Sequence, residues 1–227
     1  MEKTIIISLG GSLIIPENVD TQFLSSFRKI ILQYTKLGYR FVLICGGGKT
    51  ARKYQDAYKA IAGENQEAMD WIGIEATKIN AFLVKSLFGK DAHPEIIIDP
   101  TKPIKTSKKI IVAAGWKPGR STDFDSVLLA KKFQARSVIN MSNIDFVYDK
   151  DPKRFPNAKK ILESSWSDFR KLIGNKWEAG LNAPFDPIAA KEAQASKISA
   201  IIIGKDLVNM QQVIEGKQFK GTIISGN

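Results

Sequence analysis

Short apolar runs alternate with stretches in which apolar residues recur every three or four positions, a rhythm that predicts buried strands alternating with amphipathic helices along almost the whole chain. Residues 4–9 read as a strand broken at Gly10 and Gly11, and a helical pattern through Phe23, Phe27, Ile30, Ile31 and Tyr34 follows and stops at Gly38. Residues 41–45 form an unbroken apolar run of the kind a parallel strand buried on both faces shows. Thr50 then begins a helix in which Ala51, Tyr54 and Tyr58 fall near one face. A long helix begins near Asn65, passes Trp71, Ile74, Ile79, Leu83 and Leu87, and ends at Gly89. Residues 95–98 and 110–114 read as strands around a basic loop, 127–133 as a helix capped by Ser121 or Thr122, and 137–141 as a further strand. Ser165 and Asp168 form a capping box for a helix over 166–173, after which an irregular stretch to Phe185 reads as a crossing loop or hairpin. Asp186 and Pro187 suit the N-cap and first position of the next helix; a strand at 199–203, a helix at 206–214 and a short strand at 221–224 follow. The predicted fold is α/β, a three-layer αβα sandwich with a mostly parallel central sheet, spanning 1–227 as one domain whose two lobes divide near Asp123.

Composition narrows the function. With 34 Lys and Arg against 23 Asp and Glu, the net charge of +11 favours anionic ligands without choosing among them. The densest basic stretch, 102–109, is interleaved with proline, threonine and serine and reads as a solvated loop or hairpin; no RNA-recognition, zinc-finger or helix-turn-helix signature accompanies it, so nucleic acid is not an expected partner. The single cysteine, Cys45, lies inside an apolar strand, which excludes an internal disulfide and a multi-cysteine zinc site and suits a reducing cytoplasm. No run of apolar residues is long enough to span a membrane, and the N-terminus carries no targeting pattern. His93, the only histidine, stands before Pro94 and reads as structural or exposed.

The candidate chemistry begins at Phe41–Tyr54, FVLICGGGKTARKY, a strand running through glycines into a helix. Backbone without Cβ atoms can bring N–H groups against a phosphate, and the first helical turn adds unsatisfied donors and the positive end of a dipole. Lys49 and Arg52 put two cations within a turn of Gly46, Gly47 and Gly48. A Walker A loop fails here because Leu43 stands where that motif has glycine. A dinucleotide fingerprint fits Gly46-x-Gly48-x-x-Ala51 with Asp70 downstream, but Asp70 lies in a helical pattern rather than at a strand end. A tight turn without ligand would need only one glycine, so a phosphate site is the reading that uses all three.

A second basic turn, GWKPGRSTD at 115–123, precedes a helix and offers Lys117, Arg120, Ser121 and Thr122 together with helix-start N–H groups. The loop SNIDFVYDKDPKRFP carries Asp145, Asp149 and Asp151 but lacks the glycine and terminal glutamate of an EF-hand, and no side-chain metal site is expected.

Taken together, SLGGS at 8–12, GGGKTAR at 46–52, DWIGIEATKINA at 70–81, GWKPGRSTD, SNIDFVYDKDPKRFP and DPIAAK at 186–191 resemble the amino-acid-kinase superfamily, most closely its archaeal-type uridylate (UMP) kinases. The resemblance implies phosphoryl transfer from ATP, with Mg2+ held mainly through the nucleotide phosphates, to UMP, in a homohexamer. It places ATP toward the C-terminal half and UMP toward the N-terminal half. By that resemblance Gly10, Gly11 and Ser12 lie at the transferring phosphates, with Ser8 and Leu9 beside them, and Gly48 and Arg52 near the ATP side. Gly47, Asp70 and the run Trp116, Lys117, Pro118, Gly119, Arg120, Ser121 and Thr122 fall around UMP, and Ser142, Asn143, Tyr148 and Asp151 at the adenine nucleotide. Another small-acceptor kinase of the superfamily, or a non-catalytic nucleotide- or oxyanion-binding protein of the same fold, is the alternative.

Phosphoryl transfer asks mainly for positioning and charge neutralisation, so glycine loops, lysines and magnesium suffice without a protein nucleophile. Many superfamily members place a lysine where this chain has Ser8, which leaves Lys49 or Lys191 to supply that cation. Phe146 replaces a glycine usual before the tyrosine, and Trp116, Lys117 and Arg120 replace residues often uncharged in relatives.

Overall fold

A computed structural model describes residues 3–152, 154–174 and 183–226. The strands β1 (Thr4–Leu9), β2 (Arg40–Cys45), β3 (Ile110–Ala113) and β4 (Ser137–Met141) are followed by the short pieces β5 (Val147–Tyr148), β6 (Lys160–Ile161) and β7 (Glu163–Ser164), then β8 (Ser199–Ile203) and β9 (Thr222–Ile224). Seven of them form one sheet in the order β3-β2-β1-β4-β8-β9-β7. Within that sheet, among the described residues, only the β8–β9 pair is antiparallel; the separate β5–β6 pair is antiparallel as well. The helices are α1 (Gly11–Ile14), α2 (Thr21–Lys36), α3 (Gly48–Ala62), α4 (Gln66–Phe88), α5 (Thr122–Lys132), α6 (Trp166–Ile173), α7 (Pro187–Ala195) and α8 (Leu207–Glu215).

The period of two along each strand sends alternate side chains into two separate cores. Ile7, Leu9, Leu43 and Cys45 pack with α2, α4 and α8 on one face, while Ile6, Val42, Ile44 and Val138 pack with α5, α6 and α7 on the other. This is the three-layer sandwich the alternation predicts. Most predicted elements recur within a residue or two, and Ser121, Ser165, Asp186 and Asp206 each cap the helix that follows through a side-chain oxygen.

Some details differ from the pattern. Residues 95–98 do not form a strand; the stretch 92–97 touches β3 at two isolated bridges, Ala92 with Ile110 and Ile97 with Ala113. Pro94 has no N–H to donate, so the ladder cannot run continuously along that edge. On α3 only Ala51 is buried, whereas Tyr54 is 67% exposed, because the helix packs on α4 rather than on the sheet. The basic stretch 102–109 contains no strand and is largely exposed, as a solvated loop rather than a hairpin. The irregular stretch before Phe185 lies largely outside the described residues, while Phe185 itself is fully buried.

Register brings the glycine loops together. Leu9 pairs with Cys45 on one side and with Met141 on the other, and Met141 with Ile203, so the carboxyl ends of β1, β2, β4 and β8 finish level. Strands β1, β2 and β3 progress outward in one direction and β4 begins the other, so the order reverses beside β1, where open α/β sheets bind ligands.

Candidate active site

At that edge the loop after β1 and the loop after β2 lie backbone to backbone. Gly46 N–H donates to Leu9 O at 2.9 Å. A Cβ on Gly11 would stand 2.0 Å from Gly48 N, and one on Gly48, whose φ is +64°, would stand 2.3 Å from Gly11 O. These glycines are therefore required by the contact between the loops, before any ligand is considered. Gly10 N–H donates to Met141 O at 2.8 Å, and a Cβ on Gly10 would stand 3.6 Å from that of Ser142, so the Gly10–Ser12 turn also abuts the loop after β4.

Helix α4 holds the other side. Asn80 Nδ2 donates to Gly46 O and Gly47 O at 2.8 and 3.1 Å, Thr77 Oγ1 accepts from Gly115 N at 2.7 Å, and Asp70 Oδ2 accepts from Gly119 N at 2.6 Å. One helix face thus fixes both the second glycine loop and the turn after β3. Asn80 and Thr77 were not singled out by sequence, although polar residues at helical spacing on an apolar face are a legible signal of such bracing. Between these elements opens a cleft lined by Gly47, Gly48, Arg52, Asp70, Thr77, Gly115, Arg120, Ser121 and Thr122, among others. Most of the residues expected around the acceptor do converge here.

Others stand elsewhere. Trp116 is half-buried with the Lys117 ammonium 3.9 Å from its ring centroid and Pro118 lies on the turn, while Arg120, which does line the cleft, also covers the Phe124 ring at 4.8 Å. Lys49 pairs with Glu17 at 3.0 Å, and that contact holds the Glu17 carboxyl below its usual range. Lys191 is exposed on α7. Leu9 is fully buried in the core, which leaves only its backbone at the edge. Ser142 follows β4, Asn143 and Asp151 are exposed, and Tyr148 pairs with Lys160 in the β5–β6 ladder. These residues, expected at the adenine nucleotide, lie outside the cleft.

Beneath the loops sits a buried carboxylate group that sequence reading missed. Ser8 and Asn140 are register partners on β1 and β4 and point to the same face. Both donate to Asp123 Oδ1, at 3.0 and 2.8 Å. Asp123 Oδ2 accepts from Asp186 N at 3.3 Å, and Asp186 accepts from Ile188 N at 2.7 Å and from the Ser121 hydroxyl. The caps of α5 and α7 are thereby tied to each other. Burial, then the neighbouring Asp186 charge, pushes Asp123 up to about 7 against the Ser8 hydrogen bond, and burial raises Asp186 as well. The rise is larger, to about 8, at Asp125, which is 1% exposed. The only signal in the sequence was the pair of acids in TDFD, which reads equally as first-turn dipole complement.

Among the described residues no group of three or more His, Cys, Asp or Glu is placed to hold a metal ion, and no helix is long and apolar enough to cross a membrane. The buried acids spend most of their oxygens on N–H and O–H donors, so they do not fit a magnesium cage; a magnesium ion carried by nucleotide phosphates needs none.

A mostly parallel sandwich with paired glycine loops at its switch point is the architecture of the amino acid kinase family, whose profile matches residues 3–204, and the chain belongs to that family. Its relatives are more particular. A uridylate kinase of Thermococcus kodakarensis is 34% identical over 224 residues, covering 97% of this chain and 98% of the relative. Another from Thermoplasma acidophilum is 31% identical over 228 residues, covering 99% and 97%. The crystal structure of uridylate kinase from Archaeoglobus fulgidus matches with a TM-score of 0.81 at 29% identity, over 98% of this chain and all of that one. The UMP kinase structure from Bacillus anthracis shares the fold, with a TM-score of 0.77 at 19% identity over 98% of this chain and 96% of that one.

Proposed function

We propose that this chain is a uridylate kinase that transfers the γ-phosphoryl of ATP to UMP. The observation that carries the reading is the cleft between α3, α4 and the 115–122 turn, which Arg52 and Arg120 line together with Gly47, Gly48 and Gly115. A monophosphate held there presents its oxygen toward the Gly10–Ser12 turn, which abuts Ser142 at the start of the adenine-side loop. Donor and acceptor therefore approach across the β1–β4 switch point, the N-terminal half carrying the acceptor and the C-terminal half the donor within one domain, 1–227. Magnesium, when bound with the nucleotide, neutralises charge spread over the transferring phosphoryl. This chain's own contribution is positioning and cationic charge. The arginines hold the acceptor phosphate by charge-assisted hydrogen bonds, and the loop-to-loop contact keeps the phosphate-facing backbone rigid.

We also propose a homohexamer working in the cytoplasm. Tyr54, Ile61, Ile79 and Phe82, 60 to 87% exposed, put large apolar side chains on the outer helices α3 and α4, which suits association with further copies. The buried Cys45 thiol, raised by desolvation, is inert in either redox setting.

A coupled assay with ATP, magnesium and a panel of acceptors tests the function. UDP formation supports it; folded protein that binds UMP and ATP without turnover overturns it in favour of a nucleotide-binding protein, a reading that the occupied Ser8 hydroxyl favours.

A further inference from the structure

Directly behind the acceptor wall lies a buried acid to which the transfer chemistry gives no part. Asp125 sits in the first turn of α5. Its Oδ2 accepts the Trp116 N–H at 3.0 Å, at the point where the chain leaves β3 and starts the turn that carries Arg120, Ser121 and Thr122 to the cleft. Its Oδ1 is buried and has no hydrogen-bond partner among the described residues. Three charged groups face it: the Asp123 carboxyl on its own helix, the Asp186 carboxyl at the start of α7, and the Arg120 guanidinium on the turn. An apolar residue of similar volume would fill this space without an orphaned oxygen, so the acid carries a cost that ordinary packing does not explain. What it supplies is the acceptor for one backbone N–H at the hinge of the turn.

We propose that Asp125 is a positioning residue for the phosphoryl acceptor, anchoring the 115–121 turn through the Trp116 N–H and so setting where Arg120 and Ser121 stand in the cleft. The acceptor is UMP on the reading given above, and on that point the proposal rests on it. Burial and the two neighbouring carboxylates keep Asp125 neutral near pH 7, outweighing Arg120 and the Trp116 hydrogen bond. In that form it adds no negative charge behind a wall that must accept a phosphate dianion. Ionisation at higher pH places one there and opposes acceptor binding.

Two variants separate anchoring from packing. Asp125→Val keeps the volume and removes the acceptor; Asp125→Asn keeps a carbonyl acceptor and removes the titration. Backbone amide exchange of the 115–121 segment and KM for UMP and for ATP are measured between about pH 6.5 and 9, a range that spans ionisation at about 8. Loss of one hydrogen bond predicts exchange about two- to tenfold faster in that segment for Asp125→Val, with KM for UMP raised by a similar factor and KM for ATP unchanged. Asp125→Asn is expected to restore both, and to show a smaller rise of UMP KM with pH than the wild type, the Asp123 carboxyl still titrating at about 7 in both. Unchanged exchange and UMP KM in Asp125→Val overturn the proposal. So does a loss shared equally by both substrates, with faster exchange throughout the chain, that Asn does not rescue. If the wild type leaves UMP unphosphorylated, the uridylate kinase reading fails and the exchange comparison alone decides the anchor.

Discussion

Ser8 on β1 donates a 3.0 Å hydrogen bond to Asp123 at the start of α5, 115 residues away. A residue expected at the nucleotide phosphates is instead 4% exposed and turned toward a buried acid. Ser8→Ala should therefore lower stability by about 0.5–1.5 kcal/mol, the net value of one hydrogen bond, since Asn140 still serves the same oxygen. Thermal or urea unfolding measures the loss. A fall in kcat beyond about tenfold with stability unchanged would show instead that Ser8 acts on the transferring group.

The two glycine loops make a sharper prediction. Gly11→Ala should destabilise the fold by about 1–3 kcal/mol or more through overpacking, because its Cβ would meet backbone, which cannot swing aside. Gly38→Ala, at φ +93° with nothing within 4 Å, should cost only the backbone strain of about 1–2 kcal/mol. Equal unfolding midpoints for wild type and Gly11→Ala would mean the loops do not touch.

Stability should fall as pH rises from about 5 to 9, whatever the substrate. Asp123 and Asp125 are raised to about 7 and about 8 in the folded chain, against about 3.9 unfolded, so in that window the folded state holds protons that the unfolded state has released. Their stabilising contribution is complete below about 4 and lost as pH passes through the folded values. The acids shifted downward, Glu17, Asp99, Asp168 and Glu215, have already ionised in both states by then and do not mask the trend. A flat melting temperature between pH 5.5 and 9 refutes the assignment, and Asp125→Asn should reduce the slope.

Arg52 and the two lysines are expected to separate. Arg52→Ala should weaken acceptor use by about ten- to a hundredfold, the value of a charge-assisted hydrogen bond to phosphate, without unfolding the protein. Lys49 is already engaged with Glu17 and Lys191 is exposed, and the hypothesis that they share the neutralisation of the transferring phosphoryl requires kcat and kcat/KM to fall together in the Lys49→Met, Lys191→Met double variant. Wild-type turnover in that variant sinks it.

Apolar periodicity by itself determined the strands β1, β2, β4 and β8, the long helices and their two-sided burial, because each depends only on the spacing of side chains along its own segment. Local capping chemistry likewise announced the starts of α5, α6 and α7 through Ser121, Ser165 and Asp186, since a cap and its target N–H are neighbours in the chain. The glycine runs and the basic turn were visible as phosphate candidates for the same reason. What only the tertiary structure decided lies between distant segments: that Gly11 and Gly48 exclude one another's side chains, that Asn80 and Thr77 brace two loops from one helix, and that Ser8, Asn140, Asp123 and Asp186 form one hydrogen-bonded group. Those relationships depend on strand register and on which face a residue takes, and a single polar residue in an apolar strand does not disclose its partner. The raised acids follow from the same cause, because desolvation is a property of the packed neighbourhood and is absent from the chain until it folds.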